Sequence, residues 1–118
     1  IVDALAQQPL QFDPGAHYLY SLCHDVVAAV IEVASSQSYG EYLRESVLEP
    51  LDIRTLTLHP TEAEKAALAA RYRWDARENP IQEDNRDNPY RLSDRYESGG
   101  AGLFGNVDGY ILLADALA

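Results

Sequence analysis

Three adjacent residues, Cys23, His24 and Asp25, carry the side-chain types of a thiol catalytic triad. Consecutive side chains on a helix diverge by about 100°, so these three cannot converge on one line of proton transfer. Catalytic triads are instead assembled from residues that lie far apart in the sequence. We therefore interpret Cys23 as a small core residue, and His24 and Asp25 as polar groups in the first turn of a helix.

Potential metal ligands do not occur at the spacings that metal sites require. Neither paired cysteines nor an HExxH pattern accompanies Cys23, His24 or His17, so zinc binding is not indicated. The segment DNRDN at 84–88 has the composition of a calcium loop, but it lacks the glycine at the sixth position and the closing glutamate. We predict neither a metal nor any other cofactor.

The glycine-rich segment near the C-terminus contains part of two further motifs. Gly100 to Gly105 spells G-x-G-x-x-G, but the dinucleotide fingerprint also needs a second strand about 20 positions on, which the residues up to Ala118 cannot supply. Ser98 follows Tyr96 and Glu97, so the nucleophile elbow G-x-S-x-G is absent. We expect a tight turn with a close approach of backbones here.

The composition is that of one small globular domain. The 118 residues suffice for a modest core, and 47% hydrophobic with 24% charged residues is ordinary for a folded chain. The longest apolar run, VVAAVI at 26–31, is much shorter than the roughly 18 residues of a membrane helix. A net charge of −10 argues against nucleic acid and anionic membranes as partners. The single cysteine excludes an intrachain disulfide.

Helical periodicity and capping residues predict most of the secondary structure. Residues 1–7 are typical of the end of a helix, and apolar spacing predicts a buried central helix from Leu22 to about Ser35, with Ser21 as its N-cap. A second helix should span Ser38 to Leu48, because Ser38 and Glu41 have capping-box spacing.

The second half of the chain contains the predicted β component. Thr61 should cap a short third helix, and alternating bulky and charged residues predict a strand at Tyr72 to Asp75. Residues 76–95 are polar and should form a loop, with a brief returning strand near Tyr90 to Leu92. Asn106 should cap the last helix. The fold class is therefore mainly α with a small β component.

Five segments occur in the order of a known family. They are FDPG at 12–15, Tyr20 to Leu22, Ile31 to Ser36, EPLDI at 49–53 and ESGGAGLFGNVDGY at 97–110. In this order they resemble the serine β-lactamase and penicillin-binding-protein-like family. That family comprises class C β-lactamases, D-alanyl-D-alanine carboxypeptidases and related esterases. Ser36 and Asp52 stand where glycines are common in it.

The resemblance implies a role for two residues. Tyr20 corresponds to the family's catalytic tyrosine, which acts in proton transfer beside a serine nucleophile held in S-x-x-K, near a K-T-G or H-T-G strand. A phenol is a poor base at neutral pH unless nearby positive charge favours the phenolate. Leu22 stands where the family usually has a substrate-contacting asparagine, and this change argues against β-lactam turnover and leaves an esterase or peptidase relative as good a match.

The only lysine, Lys65, has Glu62 three positions before it, so neither S-x-x-K nor K-T-G occurs. We therefore expect residues 1–118 to be the helical subdomain, a lid or substrate-cleft portion, of a longer β-lactamase-like serine hydrolase. Its partners would be the remaining catalytic domain and a small acyl substrate, whether β-lactam, peptide or ester. The chain alone should be inactive. The alternatives are a non-catalytic interaction domain that keeps the same shape and, less well supported, a metal-binding helical domain.

Overall fold

The computed structural model describes residues 1–83 and 95–118. Within these ranges the chain is helical with one two-stranded hairpin, so the predicted fold class, mainly α with a small β component, is confirmed. The predicted returning strand at Tyr90 to Leu92 and the calcium-like segment at 84–88 lie outside the described residues. The elements in chain order are α1 (Val2–Ala6), α2 (Cys23–Ser35), α3 (Tyr39–Leu43), a π-helical segment (Arg44–Leu48), α4 (Glu62–Ala66), β1 (Arg71–Trp74), β2 (Pro80–Glu83) and α5 (Val107–Leu117).

Three of the four predicted N-caps are confirmed. Ser38 and Thr61 each form a complete capping box, with Glu41 and Glu64 respectively. The side chain of Asn106 accepts a hydrogen bond from Gly109 N at the start of α5. The remaining prediction, Ser21 as the cap of α2, is wrong: Leu22 occupies the N-cap position, and Ser21 Oγ lies 2.9 Å from Cys23 Sγ instead.

Ser36 and Asp52 both adopt the left-handed backbone conformation, with φ of 59° and 51°. Ser36 is the C-cap residue of α2, and its N–H donates to Glu32 O. Only glycine enters this region without a steric penalty, which for other residues is about 1–2 kcal/mol. The glycines common at these positions in the resembled family therefore have a backbone explanation, and this chain keeps the geometry without them.

The hairpin corrects the expectation for residues 80–83, which were predicted as part of a loop and form the strand β2. β2 pairs antiparallel with β1, with Arg71 opposite Glu83 and Trp74 opposite Pro80. The turn between them is built on Asp75, whose Oδ1 accepts the backbone N–H groups of Arg77 and Asn79 at 2.7 and 2.9 Å. In the turn, these hydrogen bonds to the Asp75 side chain take the place of the backbone hydrogen bonds that join the two strands. Proline is tolerated as the first residue of a strand, so its presence in β2 did not exclude pairing.

The hydrophobic core lies beside the π-helical segment and not along α2. Leu48, Ile53 and Leu56 are buried, and they pack with four partly buried hydrophobic residues, Leu43, Val47, Leu51 and Leu113. Of α2, only Asp25 and Ala28 are buried.

The prediction that α2 is a buried central helix is therefore wrong for this chain. Its valines at 27, 30 and 33 are 54%, 61% and 84% exposed. Cys23, interpreted as a small core residue, is also exposed. None of the described helices combines the length and the apolar character needed to cross a bilayer.

The glycine stretch, residues 99–105, forms close backbone contacts, as predicted. A Cβ on Gly99 would overlap the carbonyl oxygen of His24 and lie 2.9 Å from Ala28 Cβ, and one on Gly105 would overlap Leu56 Cδ2. Phe104 and Thr57 exchange two backbone hydrogen bonds of 2.8 Å. The glycines are thus required because this segment lies directly against α2 and against the residues beside the core.

Candidate functional site

An open cavity of about 440 Å³ lies between the start of α2 and the glycine stretch. Both predicted site residues line it: Tyr20, with 80% of its surface exposed, and Leu22, with 49% exposed. The other lining residues are Ile1, Ser21, His24 and Asp25 on one side and Tyr96, Ser98, Gly100 and Ala101 on the other. The structure therefore brings together two regions of the sequence that are more than 70 positions apart.

A turn places Tyr20 on the open side of the cavity. Gly15 has a left-handed φ of 85°, and Ala16 N donates to Asp13 O at 3.0 Å, so the FDPG segment reverses the chain. The rings of Phe12 and His17 pack edge to face with centroids 5.3 Å apart, which joins the two ends of this turn. The chain then runs without helical structure to the first turn of α2.

Asp25 connects the two sides of the cavity. Its side chain is buried, and Oδ1 accepts hydrogen bonds from Tyr96 OH at 2.5 Å and from Ser98 Oγ at 2.8 Å. Ser98 Oγ in turn accepts the backbone N–H groups of Gly100 and Ala101 at 3.3 and 3.1 Å. The carboxylate thus holds the glycine stretch through two hydroxyl groups, one of which organises the following turn.

Glu97, between those two donors, points to a different part of the molecule. Its Oε2 accepts Gly40 N at 2.6 Å, at the start of α3, and its Oε1 lies 2.5 Å from His59 Nε2. Successive side chains in extended backbone alternate in direction. Tyr96 and Ser98 therefore bind α2, while Glu97 binds α3 and the segment before α4.

These contacts shift the pKa values of both partners in the Asp25–Tyr96 pair. Burial acts to raise the pKa of Asp25, but hydrogen bonds donated by Tyr96, Ser98 and the Gly99 backbone outweigh burial, so the pKa lies below its ordinary value. Burial, followed by the hydrogen bond to Asp25 and the negative charge of Asp25, raises the pKa of Tyr96 to about 12. At neutral pH the carboxylate is charged, and the phenol is a neutral donor.

The pair should stabilise the fold over a wide but bounded pH range. The lowered pKa of Asp25 gives stability that is complete above the ordinary value of 3.8 and is lost as the pH falls through the lowered one. The raised pKa of Tyr96 gives stability that is complete below 10.0 and is lost as the pH rises through about 12. Urea unfolding of the wild-type chain and of Tyr96→Phe should therefore differ by about 1.5–3 kcal/mol near neutrality. The difference should shrink at both extremes, and Tyr42→Phe, in a half-buried tyrosine of α3, is the matched control.

Among the described residues that line the cavity, none is a lysine or an arginine. The carboxylate of Asp25 is part of this lining. A lysine that assists Tyr20 in proton transfer would therefore have to come from outside it. Among residues 1–83 and 95–118 there is also no group of three side chains arranged to hold a metal ion.

The sequence prediction missed Asp25, Tyr96 and Ser98 as one cluster. Asp25 lies in the first turn of α2, as predicted, but it is also buried. Cys23 and His24 are exposed, so the three adjacent residues do not act together. The available signal was the alternation of polar side chains at 96–98 directly before two glycines. That pattern indicates an extended segment with two faces, but it does not say which helix the segment binds.

Comparison with known proteins gives consistent results. The family model described as Beta-lactamase matches residues 1–118. Esterase EstB of Burkholderia gladioli is 33% identical over 127 residues, which cover 96% of this chain and 32% of EstB. The structure of EstCE1, a hydrolase with promiscuous acyltransferase activity, has a TM-score of 0.79 at 29% identity, covering 96% of this chain and 33% of EstCE1. Simvastatin synthase LovD from Aspergillus terreus, a LovD6 mutant, has a TM-score of 0.78 at 26% identity, covering 94% and 27%. This chain spans between 27% and 33% of the length of these relatives.

Proposed function

The chain belongs to the beta-lactamase family of serine hydrolases, and from this premise we propose that residues 1–118 form the helical, cleft-lining part of a longer enzyme. That enzyme cleaves a small acyl substrate through an acyl-enzyme intermediate. The observation that carries the proposal is the position of Tyr20, whose 80% exposed side chain lines an open cavity beside Leu22. Its place in the cavity, and not exposure alone, distinguishes Tyr20, since Tyr18 is 86% exposed but does not line the cavity.

Exposed apolar surface supports the proposal that further protein packs on this chain. The outer side of α2 exposes Val27, Val30 and Val33, and α5 exposes Val107 and Ile111, by 49% to 84% each. Apolar patches of this kind on folded domains usually mark interaction surfaces. The chain also corresponds to about a third of EstB and of EstCE1. We assign the covering role to the remaining catalytic domain of the same hydrolase, which would also supply the serine and the lysine.

In the proposed reaction, Tyr20 moves one proton in each direction. The serine oxygen bonds to the acyl carbon while the serine proton passes to the Tyr20 phenolate. When the tetrahedral adduct collapses, the bond to the leaving group breaks, and Tyr20 donates the same proton to the leaving group. Water then attacks the acyl-enzyme in the same manner and releases the acid. The lysine from outside this chain would favour the phenolate between these steps, because nearby positive charge lowers the pKa of a phenol.

Leu22 favours an uncharged ester as the substrate. Its apolar side chain lines the cavity beside Tyr20, where a substrate amide or carboxylate would find no hydrogen-bond partner from this residue. Asp25 and the overall charge of −10 add negative potential, which disfavours substrates that carry a carboxylate, as β-lactams do. An esterase and a hydrolase with acyltransferase activity among the relatives are consistent with this choice.

The proposal is tested by assaying the complete gene product and the 118-residue chain side by side. We expect the complete protein to hydrolyse p-nitrophenyl butyrate with a kcat/KM at least about tenfold above that for a chromogenic cephalosporin. The chain alone should match the buffer blank, because it has no S-x-x-K. Turnover by the chain alone would contradict its role as a part, and a preference for the cephalosporin would contradict the assignment to Leu22. A complete protein that lacks both S-x-x-K and turnover would be the non-catalytic interaction domain.

A further inference from the structure

We propose that Asp25 is the positioning residue of this site: by binding Tyr96 and Ser98, its carboxylate fixes the glycine stretch against the start of α2 and so determines where Tyr20 and Leu22 stand. This inference rests on the proposed function only for the role of Tyr20. No substrate contact is required of Asp25, Tyr96 or Ser98 themselves.

The first support is the location of the carboxylate. Asp25 is 6% exposed, in a helix whose other residues, apart from Ala28, are half-buried or exposed. Burying a charge is costly unless it is fully hydrogen-bonded. Both of its side-chain donors, Tyr96 and Ser98, come from a segment 71 and 73 positions further along the chain. A carboxylate placed this way contributes a long-range link and not a local helix cap.

The second support is the direct connection between Asp25 and the proposed catalytic segment. The backbone N–H groups of Asp25 and Val26 both donate to Leu22 O, at 3.1 and 3.2 Å. Asp25 therefore belongs to the first turn that begins at Leu22, two residues after Tyr20. A helical turn is stiff, so a displacement of Asp25 is transmitted to Leu22 and from there to Tyr20.

The third support is the close packing of the glycine stretch against α2. Gly99 lies so near to α2 that an added Cβ would overlap His24 O, and a Cβ added to Gly100 would lie 3.2 Å from Asp25 Oδ2. The glycine stretch therefore cannot slide along α2 without a clash. Packing sets the distance between the two segments, and the hydrogen bonds to Asp25 set their register.

A carboxylate suits this task better than an amide. It accepts from Tyr96, from Ser98 and from backbone N–H groups, including that of Gly99. An asparagine would keep one carbonyl oxygen for the two hydroxyl groups, but its amide nitrogen cannot accept a further N–H group. Asp25→Asn should therefore weaken the hydrogen bonds between α2 and the glycine stretch while keeping a side chain of the same size. Tyr96→Phe should remove one donor to Asp25 while keeping the aromatic ring.

The test uses the complete gene product with p-nitrophenyl butyrate. We expect Tyr96→Phe and Asp25→Asn to lower kcat by about 10–100-fold with KM within about threefold, because a misplacement near 1 Å can cost about 100-fold in rate. Tyr42→Phe, the same change in α3, should leave kcat unchanged. Circular dichroism at the assay temperature establishes that each variant is folded.

A pH profile separates positioning from a general loss of stability. Tyr96→Phe removes a donor that lowers the pKa of Asp25, so the acid limb of kcat should move to higher pH than in the wild type. The other titratable groups beside the carboxylate are Tyr39, whose pKa is raised by burial and then by the charges of Asp25 and Glu97, and His24, which shares the cavity. When the pH profile of kcat is measured again in the His24→Gln and Tyr39→Phe backgrounds, Tyr96→Phe should still move the acid limb to higher pH. If this movement of the acid limb disappears in either background, the assignment to Asp25 is overturned.

Failure of this inference can be told apart from failure of the proposed function. If Tyr20→Phe abolishes turnover while Tyr96→Phe and Asp25→Asn match the wild type, the function stands and the positioning role is overturned. If the wild type shows no turnover, crystal structures of the wild type and of Asp25→Asn test the positioning role directly. A Tyr20 hydroxyl displaced by about 1 Å or more supports positioning, and an unmoved Tyr20 overturns it.

Discussion

Replacing Tyr20 by phenylalanine in the complete hydrolase should lower kcat by about 10²–10⁴-fold, and the same change in the 118-residue chain should leave its free energy of unfolding unchanged. A positioned acid–base group typically contributes this factor, and phenylalanine removes only the hydroxyl that carries the proton. Stability should not respond, because 80% of the Tyr20 side chain is exposed. The measurement is steady-state hydrolysis of p-nitrophenyl butyrate, with urea unfolding of wild type and variant in parallel.

Tyr18→Phe is the matched control for this experiment. Tyr18 is 86% exposed and lies two residues before Tyr20, but it is not among the residues that line the cavity. The same chemical change there should leave kcat within about twofold, which is well below the factor expected of a proton-transfer group. Equal losses in both variants would indicate a general effect of this segment, and no loss at Tyr20 would remove it from the catalytic mechanism.

The electrostatics of the chain explain why Tyr20 should need the rest of the enzyme. The carboxylate of Asp25 lines the same cavity, and the chain as a whole carries a net charge of −10. A phenol is an effective base near neutral pH only with positive charge close by, and none of the described lining residues is a lysine or an arginine. We therefore expect the position of Tyr20 and its activation to depend on different parts of the proposed hydrolase.

Local features of the fold could be predicted from the sequence. The caps at Ser38, Thr61 and Asn106 follow from side chains that bind backbone groups within three residues. In each case the information lies within one turn of chain, so the residue types suffice.

Long-range features could not be predicted. The apolar spacing of α2 indicated a buried helix, but spacing identifies an apolar face and not the protein that covers it, so the exposure of Val30 and Val33 was not foreseen. The burial of Asp25 was missed for the same reason, because it depends on donors from residues 96 and 98. The strand Pro80–Glu83 was missed because proline is typical of loops as well as of the first position of a strand.

Gly99→Ala should lower the free energy of unfolding of the 118-residue chain by about 2–4 kcal/mol. A methyl group there would overlap the backbone oxygen of His24 and lie 2.9 Å from Ala28 Cβ, so the glycine stretch would have to move away from α2. That movement would also lengthen the hydrogen bonds from Tyr96 and Ser98 to Asp25. Urea unfolding followed by circular dichroism measures the loss. The control is Gly15→Asn, where the space is open and asparagine tolerates the left-handed backbone.

A double-mutant cycle tests whether this loss passes through Asp25. If the methyl group acts by separating the glycine stretch from α2, the bonds to Asp25 are already weakened in Gly99→Ala, and adding Asp25→Asn should cost less than it does in the wild type. The coupling free energy should then be about 0.5–3 kcal/mol, the range found for residues that share one contact network. Additive losses would mean that packing at Gly99 and the carboxylate at Asp25 hold the segment independently. In that case the close fit, and not the hydrogen bonds, would determine where the start of α2 lies.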